Sequence, residues 1–264
     1  MAEIDWQRQP GFDLTGTRAL VVGFANPAGR AIANALAEAG ADVAAAAATL
    51  DGDEVMEAKR ASNDAIKAGR RSFSQAWDVT LPTNVQVSFR QLVKEFGFPE
   101  VLVWNADAPL AKPIEQTTDM EFGRVSQLNL AGAFYAARSW TKSLPEGQPG
   151  RLIFVNSMFG ERGIPQGAAY AAARGGIVGL IVALSQELGP RGVTVNGIGT
   201  GWMDWTPGRG PDEIGANRLM RFVPMRRFGR ADELGGLAVL LASGAGGYLN
   251  GQIFHADGGV LTHI

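Results

Sequence analysis

The chain has 264 residues, 46% of them hydrophobic, with 24 basic against 26 acidic side chains and no cysteine. A formal net charge of -2 offers no basic surface for a phosphate backbone, which argues against a nucleic-acid partner, and the lack of thiols excludes disulfides, thiolate metal sites and a cysteine nucleophile. His255 and His263 are too few for a histidine metal centre, MAEIDWQRQPGFDL lacks the basic start and apolar run of a signal peptide, and the apolar stretches fall short of the roughly 20 residues of a membrane helix, so a cytoplasmic protein without membrane contact is expected.

Taken in chain order, apolar runs alternate with helical patterns. Arg18 to Gly23 reads as a short buried strand, since a strand covered on both faces is continuously apolar. Ala28, Ile32 and Leu36 then lie four apart on one helix face, and Gly40 ends that helix. Asp42 to Ala48 is a second strand, although alanine is a weak strand former. A helix from about Asp53 to Lys67, a strand from Ser72 to Trp77, a helix after Pro82 and a strand from Val101 to Trp104 follow. Residues 118–142 read as one long helix and Arg151 to Val155 as a fifth strand. Ile177, Leu180, Ile181, Leu184 and Leu188 mark the next helix, Gly192 to Ile198 a sixth strand, residues 231–242 a helix, and Gly251 to His255 the last strand. This alternation predicts one α/β domain, a Rossmann-like doubly wound parallel sheet of about seven strands with helices on both faces. In such sheets ligands bind beyond the carboxyl ends of the strands, at the switch point.

The first strand runs through Gly23-Phe24-Ala25-Asn26-Pro27-Ala28-Gly29 into a helix, a turn that would aim backbone N–H groups and a helix dipole at a pyrophosphate. Pro27 suits a first helical position but offers no N–H and adds bulk. The second strand ends in Ala46-Ala47-Ala48-Thr49, with neither the acid that binds ribose hydroxyls nor the base that accepts a 2′-phosphate. Asp51 reads as a turn residue or helix cap. Ser157 follows the fifth strand, and Tyr170 and Arg174 share one face at the start of the next helix. A phenol beside a fixed cation is easier to ionise. With a serine hydroxyl to hold an oxygen, the trio suits proton transfer to an oxygen whose carbon exchanges a hydride.

With these residues the chain resembles, nearly end to end, the short-chain dehydrogenase/reductase family. Phe12-Asp13-Leu14-Thr15-Gly16 resembles its approach to the first strand, and Asp78-Val79 its adenine-contacting pair. Asn105-Ala106 sits in the slot of its NNAG motif, Asn129 in LNLAGAF matches an asparagine that supports a catalytic water, and Ser157 and Tyr170 have the family separation. The stretch from Tyr170 to Gly199, Pro224 to Gly229 and Gly251 to Gly259 match its remaining signatures. The resemblance implies NAD or NADP as cofactor, held by Gly23, Asn26, Gly29, Asp78, Val79, Asn105, Ala106, Tyr170, Arg174, Thr200 and Gly201. It implies Asn129, Ser157, Tyr170 and Arg174 as catalytic residues, and a tetramer or dimer as the assembly.

Four departures lie on the cofactor side: Pro27 within GxxxGxG, Asp107 in the last place of NNAG, Arg174 for the lysine of YxxxK, and Thr200-Gly201 for a proline–glycine. Asp107 adds bulk and negative charge where a diphosphate must be accepted. Arg174 stays protonated and relays protons poorly. Two functions follow. One is an NAD(P)-dependent oxidoreductase interconverting an alcohol and a ketone. The other is a non-catalytic subunit supporting an active paralogue in a heterotetramer. A lid over about residues 200–225, with Trp202, Met203, Trp205 and Met220, suggests an apolar, aromatic or acyl-thioester substrate. Arg218, Arg221 and Arg226 are candidates to hold an acidic group.

Overall fold

Residues 11–206 and 219–262 are described by a computed structural model of the chain. The N-terminal ten residues, Arg218 with the Gly/Pro-rich part of the lid, and His263 lie outside the described residues.

In β1 (Arg18–Val22), Ala19 and Val21 face one layer while Leu20 and Val22 face the other, all fully buried. That is the pattern an interior parallel strand requires. β2 (Asp42–Ala47) alternates in the same way with Val43 and four alanines, so burial on both faces overrides the weak strand propensity of alanine. With β3 (Ser72–Ala76), β4 (Val101–Trp104), β5 (Gly150–Ser157), β6 (Val193–Thr200) and β7 (Ile253–Ala256), the described strands form one seven-stranded sheet in the order β3-β2-β1-β4-β5-β6-β7. Every pairing is parallel. The fold is therefore the doubly wound α/β sheet expected from the alternation.

One layer carries α1 (Pro27–Glu38), α2 (Gly52–Lys67) and α8 (Gly235–Ala242), packed through Ile32, Leu36, Ala61 and Leu241. The opposite layer carries α3 (Pro82–Phe96), α5 (Gly132–Ser143) and α7 (Ala168–Leu188), packed through Phe89, Trp140, Ile177 and Ile181. The apolar run of α7 is longer than the sequence reading allowed. The helical span Ala168–Arg191 is long and apolar enough, by length and composition alone, to cross a membrane. Part of that apolarity is core contact, since Ile177, Ile181 and Leu188 are buried against the sheet.

Two expectations change. The single helix expected over 118–142 is α4 (Asp119–Ser126) and α5 joined by a π-helical turn, Gln127–Ala131. Its extra residue leaves the hydrophobic periodicity almost untouched, so the sequence does not betray it. β5 runs on to Ser157 instead of ending at Val155, which makes Ser157 a strand residue paired with Thr200 of β6.

Trp140 lies fully buried beneath the sheet, tilted against Phe98 at 5.4 Å, and its indole N–H donates to the Pro99 carbonyl at 2.7 Å. Trp140→Ala is expected to lower the unfolding free energy by about 3–5 kcal/mol. Urea unfolding followed by circular dichroism measures this, and a loss well below that range would show that the layer does not depend on this ring.

Candidate functional site

The site is built where β1 and β4, neighbours in the sheet but not in the chain, end side by side, the switch point at which doubly wound sheets bind ligands. Gly23 follows β1 with φ +103°, and a Cβ there would lie 2.3 Å from the Ala106 amide nitrogen. A Cβ on Gly29 would lie 2.3 Å from the Gly23 carbonyl oxygen. Both glycines are thus required by close backbone packing. Asn26 caps α1, its Oδ1 accepting from the Ala28 N–H at 3.0 Å, and Pro27 takes the first helical position as expected. Asn105 ties the corner together, donating from Nδ2 to the Gly23 carbonyl at 2.9 Å and to Asn26 Oδ1 at 3.3 Å.

Asp107 follows β4 and reaches across to α7. Its Oδ1 accepts the Tyr170 hydroxyl at 2.9 Å and pairs with the Arg174 guanidinium. Arg174 is 2% exposed, and it also donates to the Val155 and Ala106 carbonyls, each at 3.2 Å. The guanidinium lies 5.2 Å from the centre of the Tyr170 ring, one helical turn away, as their spacing predicted.

The consequence for Tyr170 reverses the sequence expectation. Burial and the Asp107 carboxylate hold the phenol in its neutral form and push its pKa well above the usual tyrosine value, although Arg174 pulls the other way. A cation alone would favour the phenolate. A cation already neutralised by a carboxylate, in a buried site, does not.

Ser157 Oγ accepts from the Phe159 N–H at 3.3 Å. Ser157 and Tyr170 line one cavity of about 320 Å³, with Phe159, Ile164, Trp202 and Met203 as its apolar wall. Trp202 packs edge-on to Phe159 at 4.9 Å. The expected pair is therefore brought together beneath the described part of the lid. Asn129 sits in the π turn, fully buried, donating to the Ala108 and Val125 carbonyls and accepting from the Ala108 N–H, each at 3.0 Å. Its amide anchors the segment that carries Asp107. Arg226 turns back on its own loop, donating to the Met220 and Arg221 carbonyls at 3.3 and 2.8 Å, and Arg221 is exposed.

The other expected cofactor residues are placed as follows. Asp78 accepts from the Thr80 N–H and hydroxyl, and Val79 is fully buried. Thr200 donates to the Asn156 carbonyl at 3.0 Å, and a Cβ on Gly201 would lie 2.5 Å from Asp257 Cα. Between Asn26, Asn105, Arg174 and Thr200 a space of about 20 Å³ remains. Two buried polar atoms of residues lining it, Asn156 Oδ1 and Arg174 Nε, have no hydrogen-bond partner. A capped helix N-terminus at the switch point and unsatisfied polar atoms beyond it fit a dinucleotide.

The sequence profile described as enoyl-(acyl carrier protein) reductase matches residues 23–261. The chain belongs to the short-chain dehydrogenase/reductase family. It is 32% identical over 250 residues to a 2-dehydro-3-deoxy-D-gluconate 5-dehydrogenase of Pseudoalteromonas atlantica, covering 94% of this chain and 97% of that one. It is 29% identical to the 3-oxoacyl-[acyl-carrier-protein] reductase FabG of Escherichia coli, covering 93% and 97% of the two chains. Among solved structures, a short-chain type dehydrogenase/reductase of Mycobacterium marinum superposes with a TM-score of 0.84 at 30% identity, covering 95% and 97%. A gluconate 5-dehydrogenase of Burkholderia cenocepacia, in complex with NADP and tartrate, superposes with a TM-score of 0.88 at 26% identity, covering 96% and 98%.

Within this family frame the sequence reading missed two carboxylate contacts. Glu54, in the first turn of α2, is 4% exposed and folds back on the ends of β1 and β2. Its Oε1 accepts from the Phe24 and Ala48 N–H groups at 2.9 Å each, and its Oε2 from the Thr49 N–H at 3.0 Å and hydroxyl at 2.5 Å. Nothing in the sequence separates it from the acids that commonly open helices; Asp51, three residues earlier, is the N-cap, as expected. The Asp107–Arg174 pair did leave a signal. Asp107 and Arg174 carry opposite charges, so each compensates the other.

Because Tyr170 ionises less readily folded than unfolded, the unfolded chain loses that proton first and stability falls as pH rises above about 10. Tyr170→Phe is expected to flatten that alkaline slope, and Asp107→Asn to shift the Tyr170 ionisation downward. Ultraviolet phenolate titration against Tyr248, which is fully exposed, measures the second effect; an unshifted curve would place the cause elsewhere.

Proposed function

We propose that the chain is an oxidoreductase that interconverts an alcohol and a ketone on an apolar, aromatic or acyl-thioester-type small molecule, with NAD or NADP as its hydride carrier. The observation that carries the reading is the shared cavity of Ser157 and Tyr170, walled by Phe159, Ile164 and Trp202 and opening at the carboxyl edge of the sheet. Relatives of matching length named as a dehydrogenase and as a 3-oxoacyl reductase support it, as does NADP in a structural neighbour.

The dinucleotide supplies or takes the hydride at the substrate carbon. Gly23, Asn26 and Gly29 would hold it at the N-terminus of α1, Asp78 and Val79 at its adenine end, and Asn105, Ala106, Arg174, Thr200 and Gly201 towards the reacting end. Ser157 Oγ would hold the substrate oxygen and Tyr170 Oη exchange its proton. Asn129 would act through the Ala108 segment that it fixes. The working assembly under this reading is a cytoplasmic homotetramer.

One observation favours a second reading. The Tyr170 hydroxyl already donates its proton to Asp107. A chain held in that arrangement would serve as a non-catalytic subunit beside an active paralogue in a heterotetramer.

Turnover of a ketone and 3-oxoacyl-thioester panel by the purified chain, followed through NADH or NADPH absorbance, separates the two. The oxidoreductase reading expects turnover that Tyr170→Phe lowers by about 10²–10⁴ in kcat. No turnover by the isolated chain, together with stimulation of a co-purified paralogue, would overturn it in favour of the second.

A further inference from the structure

Two sets of hydrogen-bond donors face the switch point, and the chain's own carboxylates occupy both. At the ends of β1 and β2 the amides of Phe24, Ala48 and Thr49 converge, with the Thr49 hydroxyl, on the Glu54 carboxylate. At the end of β4 the Arg174 guanidinium and the Tyr170 hydroxyl converge on Asp107. Backbone N–H groups and a guanidinium are the groups that would donate to the oxygens of a ribose or a phosphate. An oxygen that takes these donors must displace a carboxylate oxygen already in place. It must also enter a cleft of about 580 Å³ that Asp51, Asp53 and Glu57 line on the same side as Glu54.

We infer that Glu54 and Asp107 are internal competitors of the dinucleotide, so that the free chain binds it weakly and the phosphorylated form more weakly still. The inference deepens the oxidoreductase reading and rests on it. Asp107 controls the reacting end, because the Arg174 bonds and the Tyr170 proton are released only when its carboxylate leaves. Glu54 controls the far end, where a 2′-phosphate would bring further negative charge against a buried anion with no counter-cation among the residues that bond it.

Calorimetric titration of the full chain with NADH and with NADPH tests this directly. Asp107→Asn, which keeps the shape and removes the charge, and Asp107→Gly, which removes both, are each expected to tighten both dinucleotides at least tenfold. Glu54→Gln is expected to tighten NADPH more than NADH. Since Glu54 makes four hydrogen bonds, two of them buried, thermal unfolding of that variant is measured alongside, and the Asp107 pair tests the inference on its own. Unchanged affinities in both Asp107 variants of a wild-type chain that binds would overturn the inference and leave the oxidoreductase reading standing. Folded variants that still bind neither dinucleotide would overturn both.

Discussion

Arg174 is buried on the inner face of α7, and a buried guanidinium is tolerable only where its charge is met and its N–H groups are bonded. Asp107 meets the charge, and the carbonyls of Val155 and Ala106 take further donors. This one ion pair joins the end of β4 to α7, draws the Tyr170 hydroxyl inward, and sets the shape of the small space beside Asn26 and Thr200. Removing one partner of a buried pair typically costs about 3–5 kcal/mol, because the other charge is left stranded. The two residues therefore act as a unit, and the corner of the sheet is organised around them.

The same pair decides the electrostatics of the phenol. A tyrosine one turn from a free cation loses its proton more easily. Here the cation is already compensated, and burial and the carboxylate both favour the neutral phenol. The geometry that a family resemblance would pass as intact, tyrosine and basic residue four apart on one helix face, thus has its acid–base character inverted by a residue more than sixty positions away in sequence. Asn129 reinforces this from a third element, since its amide fixes the Ala108 segment next to Asp107.

Ser157 and Tyr170 line one wall of an apolar cavity, and Trp202 closes over it against Phe159. The cavity suits a substrate with an apolar body and one oxygen to be held, in keeping with the shape of the family fold. Asp107 lines this cavity too, whereas Glu54 lies at the ends of β1 and β2.

The sequence alone was sufficient for the fold class and the order of the strands. Those follow from short-range periodicity: interior parallel strands are continuously apolar, helices repeat every three to four residues, and a residue at a strand's carboxyl end points to the switch point. It also disclosed Pro27 at the first turn of α1 and Asp51 as a cap, both local matters. The π turn at Gln127–Ala131 escaped because one inserted residue hardly disturbs that periodicity. The partner of Arg174, the fold-back of Glu54 onto three strand-end amides and the direction of the Tyr170 shift were decided only by tertiary structure. Each depends on which oxygen reaches which donor across the sheet, and spacing along the chain carries no record of that distance.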